Sequence, residues 1–124
     1  MGTTRIVLAV VLLATANGVD AKPDNKWRIK CNGKAKVDGE IVLSIEPAGG
    51  EPVEVVIAIP AGTNENAAAV IVRDSLKVPL RDTHKVERDD WEDVLVKKRY
   101  KQPDFELVLQ DNTAEGLSIK VKDE

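Results

Sequence analysis

Four carboxylates within five residues, Asp89, Asp90, Glu92 and Asp93, surround Trp91 in the most chemically loaded stretch of this 124-residue chain. Hard divalent cations take oxygen ligands of this kind. The spacing matches no calcium loop and contains no glycine, so a solvated hairpin tip is the preferred reading, with calcium binding left open. Trp91 is harder to place. A large aromatic among four acids gains little unless it folds back on its own hairpin, shielding Val94 or Val96, or meets a partner, and aromatics with a polar handle are enriched at binding hot spots. The basic run that follows, Lys97, Lys98, Arg99 and Lys101, with Tyr100 inside it, can pair with the acidic tip of the same or another copy. Exposed pairs contribute only ~0 to 1 kcal/mol each, so such charges set orientation more than affinity. The expected partner-binding surface is therefore Asp90, Trp91, Glu92, Lys97, Arg99 and Tyr100, on a hairpin running from Asp89 to Tyr100. Its partner is a protein or a second copy of the chain.

Recognisable catalytic constellations are missing. Serine nucleophiles need an adjacent base, yet the single histidine, His84, lies in no motif and no Gly-x-Ser-x-Gly elbow occurs. His84 is expected at the surface, at the start of a strand. The single cysteine, Cys31, shares an alternating face with Trp27 and Ile29 and is expected to be buried, whereas a reactive thiolate needs a partly exposed, electropositive setting. A Cys31 and His84 pair is the one thiol dyad the composition permits. A structural zinc site needs about four Cys or His ligands and the chain offers two. Acids this common make any glycosidase-like carboxylate pair nonspecific, and Ala61-Gly62 alone is a turn and no phosphate loop. Catalytic residues, metal ligands and cofactors are accordingly assigned to none.

Charge and composition narrow the partners further. A net charge of −3 predicts no general affinity for nucleic acid or anionic membranes, and two Trp, one Tyr and one Phe make a base-stacking platform hard to assemble. The core must be aliphatic. At the amino end, one positive charge at Arg5, an unbroken apolar run from Ile6 to Leu13 and small residues after it form the pattern of a secretory signal peptide, with the preferred cut after Ala21. That run is too short to span a membrane. The expected organisation is a signal peptide over residues 1–21 and a single domain over 22–124, periplasmic or secreted, with no membrane span after processing.

Positioning the candidate residues falls to one helix and the strands on either side of it. Thr63 to Val78 is the only stretch with sustained helical spacing. Thr63 is expected to cap it, Gly62 to let the chain turn in, and Glu65 to meet the helix dipole in the first turn. Ala68, Ile71, Val72, Ser75 and Leu76 fall on one face, and Pro79 is expected to end the helix by pushing Val78 out of helical geometry. Before it, Trp27, Ile29 and Cys31 alternate with Arg28, Lys30 and Asn32, and Asn32-Gly33 and Asp38-Gly39 read as turns. Ile41, Leu43 and Ile45, then Val53, Val55, Ile57 and Ile59, form the clearest hairpin; Val56 and Ala58 suggest that its second strand is covered on both sides. After the helix come strands around Val86, Val94 to Val96, Phe105 to Leu109 and Leu117 to Val121, the last with Ser118, Lys120 and Lys122 outward as suits a sheet edge. The expected fold is α+β: small, mainly antiparallel sheet or sheets of six to seven short strands with one helix packed on one face, in the order βββ-α-ββββ.

These readings converge on an exported, noncatalytic binding or assembly module acting by protein–protein recognition. A small inhibitor of a secreted or periplasmic hydrolase, with the Trp91 loop in its target's cleft, is the alternative. An enzyme with an unrecognised site is the third.

Overall fold

Residues 22–124 are described by a computed structural model; the stretch read as a signal peptide, residues 1–21, lies outside them. Among the described residues period-two alternation produces seven strands around one helix: β1 (Lys26–Gly33), β2 (Gly39–Pro47), β3 (Val53–Ile59), α1 (Glu65–Lys77), β4 (His84–Asp89), β5 (Asp93–Lys98), β6 (Phe105–Asn112) and β7 (Leu117–Asp123). All pairings are antiparallel, in a four-stranded sheet ordered β4-β5-β1-β7 and a three-stranded sheet ordered β3-β2-β6. The described residues thus form an α+β fold with one helix packed against the sheets.

Both sheets and the helix share one aliphatic core. Trp27, Ile29 and Cys31 of β1, Val94 and Val96 of β5 and Ile119 of β7 join Ile41, Leu43 and Ile45 of β2, Ile57 and Ile59 of β3, and Phe105 and Leu107 of β6. Ala68, Ala69, Val72 and Leu76 of α1 complete it, and the helix touches β1, β4 and β5 of one sheet and β3 of the other. Ile71 and Ser75, expected on the buried stripe, are only half-buried, and Ala69 takes the inward place. Hydrogen bonds also tie the two sheets together around Phe105. Asp24, just before β1, exchanges both backbone hydrogen bonds with Phe105, at 2.9 Å each, and Trp27 Nε1 donates to the Phe105 carbonyl at 2.7 Å.

Several local expectations are corrected. The helix cap is Asn64, whose Oδ1 accepts from the Ala67 amide at 2.9 Å; Thr63 is buried and donates its hydroxyl to the Pro60 carbonyl instead. At the other end Val78 stays helical, with φ −71° and ψ −55°. The helix does end before Pro79, as expected, but Val78 is not pushed out of helical geometry, and a run of turns follows in which Leu80 donates to Leu76 and His84 to Leu80. Asn32-Gly33 is no turn: both residues remain in β1, paired with Ser118 and Leu117 of β7. Gly33 and Gly116 each take φ +95°, and a Cβ on either would collide with a backbone carbonyl oxygen, of Gly116 and Lys34 respectively. Finally, β3 is an edge strand covered on one side only. The helix and core lie against Ile57 and Ile59, while Val56 on the opposite face is 52% exposed. At the edge formed by β7, Ser118, Lys120 and Lys122 point to solvent, as their alternation suggested.

Candidate functional site

Pairing of β4 with β5 runs from His84 opposite Lys98 to Asp89 opposite Asp93, which leaves Asp90, Trp91 and Glu92 as the tip of the hairpin. Asp90 and Trp91 both adopt the left-handed region, at φ +50° and +60°. For an L-residue that conformation costs roughly 1–2 kcal/mol, and a bulky side chain is rarely found there. Trp91 is nevertheless 67% exposed, with the Arg88 guanidinium 5.2 Å from its ring centroid. It does not shield Val94 or Val96, which are buried in the core.

What holds the strained tip is a charge cluster at its base, on the outward side of β1. Arg28 Nη1 donates to Asp93 Oδ2 at 2.7 Å and to Asp89 Oδ2 at 2.9 Å, and its Nε donates to Glu124 at 2.8 Å. Hydrogen bonds to Glu124, then Asp93 and Asp89, raise the pKa of Arg28 further, and Arg28 in turn lowers that of Glu124. Asp93 is 3% exposed and its Oδ1 has no partner among the described residues, so its charge depends on Arg28 and, at 3.9 Å, on Lys30. The Glu92 carbonyl also accepts from the Cys31 amide at 3.0 Å, joining the tip to β1. Two of the four acids expected at the tip are thus engaged by Arg28, and among the described residues no group of three or more His, Cys, Asp or Glu is placed to hold a metal ion.

Arg99 and Tyr100 lie at the opposite end of the hairpin, beyond Lys98, with Lys97 one residue short of that end. Five residue steps separate Asp93 from Lys98, about 17 Å along the strand. The expected surface therefore divides, with Asp90, Trp91 and Glu92 at the tip and Lys97, Arg99 and Tyr100 remote from it. Nor, among the described residues, does the basic run pair with the tip of its own chain. Lys97 pairs with Glu87 at 3.1 Å, Lys98 with Asp104 at 3.1 Å, and Arg99 Nε donates to the Arg81 carbonyl at 3.0 Å. Tyr100 is 88% exposed, with Lys101 by its ring.

His84 corrects a second expectation. It starts β4 as foreseen but is 5% exposed, because its ring stands edge-on to Phe105 at a centroid distance of 4.5 Å. Nδ1 contacts the Thr83 hydroxyl at 2.8 Å, and Nε2 has no partner among the described residues. Burial, and then the charge of Arg99, lower its pKa from 6.5. The unfolded chain therefore takes up a proton on His84 at a pH where the folded chain does not, and stability falls as pH drops below about 6.5 toward the folded value. Thermal midpoints of the wild type should decline between pH 7 and 5.5 more steeply than those of His84→Leu; parallel curves would show that His84 is not the group responsible.

Cys31 is buried as expected, and burial, reinforced by the charges of Asp93, Glu65 and Glu92, pushes its thiol up to about 12. It stands opposite Ile119, five residues along β1 from Lys26, whereas His84 lies beyond the other end of the strand, opposite Lys98. At roughly 3.3 Å per residue these groups are more than about 15 Å apart, so they form no dyad.

Sequence reasoning missed Arg28, whose place in a strand alternation marked it only as outward, and a set of cations at the far end of β4, Lys77, Arg81 and Lys85. They come from the end of α1, the turn after it and β4, so no local periodicity joins them. No family model, curated protein or solved structure matches the chain.

Proposed function

We propose that this protein is an exported, noncatalytic recognition module whose contact element is the hairpin tip Asp90 to Glu92. The observation that carries this reading is Trp91: an exposed residue in a costly left-handed conformation, with an ion cluster built on the buried Asp93 at the base of its turn. Strain of this kind persists only where the surrounding structure over-determines it, and it collects at binding sites. A braced tip loses little freedom on association, which favours affinity from a small contact. The apolar run from Ile6 to Leu13 supports an exported setting. The same braced tip suits insertion into the cleft of a secreted hydrolase, which keeps the inhibitor reading as a second one.

The test is capture from the envelope and culture fluid of the exporting cells, using residues 22–124 as bait beside Trp91→Ala and Trp91→Gly. One dominant partner is expected, in a one-to-one complex, with both variants binding more weakly by ~2 kcal/mol or more, roughly thirtyfold. Trp91→Gly relieves the left-handed strain and should melt at or above the wild-type temperature, so its loss of binding cannot be ascribed to unfolding. Equal capture by wild type and both variants would remove the tip as the contact element.

A further inference from the structure

At the end of the hairpin remote from Trp91, a cleft of about 460 Å³ opens between the carboxyl end of α1 and the start of β4. Lys77, Arg81, Lys85 and Arg99 stand around it with His84, and Val78 and Val86 supply its apolar wall. We propose that this cleft binds a phosphate monoester, the four cations holding the phosphate and the two valines lying against the ester's organic group.

Charge carries the inference. Among the described residues no acid lines the cleft, although the chain as a whole has a net charge of −3. Among the described residues no carboxylate pairs with Lys77, Arg81 or Arg99, and Lys85 approaches only Glu87, at 3.8 Å. Three of the four cations around the cleft, Lys77, Arg81 and Arg99, have no counter-charge among the described residues, an arrangement that a multiply charged anion stabilises. The dipole at the end of α1 accounts for Lys77 alone; Arg99 arrives from the end of β5 and Lys85 from β4. Guanidinium groups match phosphate oxygens in paired hydrogen bonds, which an ammonium cannot do.

The frame is also set before any ligand arrives. Arg99 is held by its Nε bond to the Arg81 carbonyl and by its amide bond to Thr83, at 2.9 Å, while Leu80 donates to Leu76 and His84 to Leu80, which fixes the turn between α1 and β4. Val78 is 67% exposed beside these charges, an apolar surface without a covering side chain. Such a wall has no use for inorganic phosphate and suits an ester. The cleft volume lies within the range of small-molecule sites, about 300–1,000 Å³.

A titration of residues 22–124 with phenyl phosphate at low ionic strength, followed by amide chemical shifts, tests the proposal. Shifts should concentrate on Lys77 to Val86 and Arg99, be absent with phenol, and saturate at lower concentration than with inorganic phosphate. The Arg81 side chain makes no hydrogen bond or ion pair among the described residues, so Arg81→Glu should melt like the wild type while weakening phenyl phosphate at least about tenfold. Trp91→Ala should leave the titration unchanged, which separates this site from the tip. Absent shifts, shifts spread over the Lys97 and Lys101 surface, or an unaltered titration in Arg81→Glu would overturn the site. Equal binding of inorganic phosphate and phenyl phosphate would overturn the ester assignment.

Discussion

Replacing Arg28 by methionine should remove about 3 kcal/mol of stability and lower the melting midpoint by more than about 10 °C. The reason lies in what is left behind. Asp93 is almost fully buried, its Oδ1 already lacks a partner, and without Arg28 its nearest cation is Lys30 at 3.9 Å. Breaking a buried pair from one side typically costs about 3–5 kcal/mol, and the partly exposed Asp89 and the neighbouring Lys30 place this case at the low end. The cause is an uncompensated charge and not lost packing, so Asp93→Asn in the Arg28→Met background should recover most of the deficit. A loss below about 1 kcal/mol in Arg28→Met, or no recovery in the double variant, would show that the cluster does not hold the fold. A functional consequence follows, since Asp89 and Asp93 bracket the tip. With Arg28 gone the left-handed pair Asp90 and Trp91 should relax, and capture through Trp91 should weaken even at temperatures where the variant stays folded.

The residue patterns announced the strands far better than their partners. Alternation at Trp27, Ile29 and Cys31, or at Leu117, Ile119 and Val121, records which side of a strand is buried, and each of these runs became a strand with that side inward. The division into two sheets left no trace in period-two patterns. Asn32-Gly33 has the composition of a turn, yet Gly33 is held in β1 because its amide reaches Glu65 Oε1 at 2.9 Å and its missing Cβ leaves room for Gly116. His84, flanked by Thr83 and Lys85, carries no local sign of burial; only Phe105, twenty-one positions later in the chain, explains it. At the candidate site the tip itself was legible as a tryptophan among acids. Its brace was not, because Arg28 is sixty-one residues from Asp89. Treating the acidic tip and the basic run as one surface failed for a simpler reason: consecutive residues on a strand move apart by about 3.4 Å each, so a run that looks compact in sequence spans the hairpin.

Phe105→Ala should be the most damaging truncation in the core, costing about 3–5 kcal/mol, a large part of the ~5–15 kcal/mol that sustains a domain of this size. Phe105 is fully buried, and its surroundings come from three directions. Its backbone pairs with Asp24, its carbonyl also accepts the Trp27 indole, and its ring meets His84 of β4, so one residue of the three-stranded sheet is fastened to two strands of the other and to the segment leading into it. The backbone bonds survive truncation, which limits how far the walls can close. A cavity should remain beside the His84 ring, whose Nε2 has no partner among the described residues, a polar atom for an entering water to bind. Two readings separate under measurement. If the ring acts through packing, Phe105→Leu, which keeps most of the volume, should lose under about 1.5 kcal/mol. If the ring also keeps His84 dry, its pKa in Phe105→Ala should rise back toward 6.5, and the extra loss of stability below that pH should shrink with it. A truncated variant within about 1.5 kcal/mol of wild type, with the His84 titration unmoved, would mean that neither sheet depends on Phe105 and that the burial of His84 has another cause.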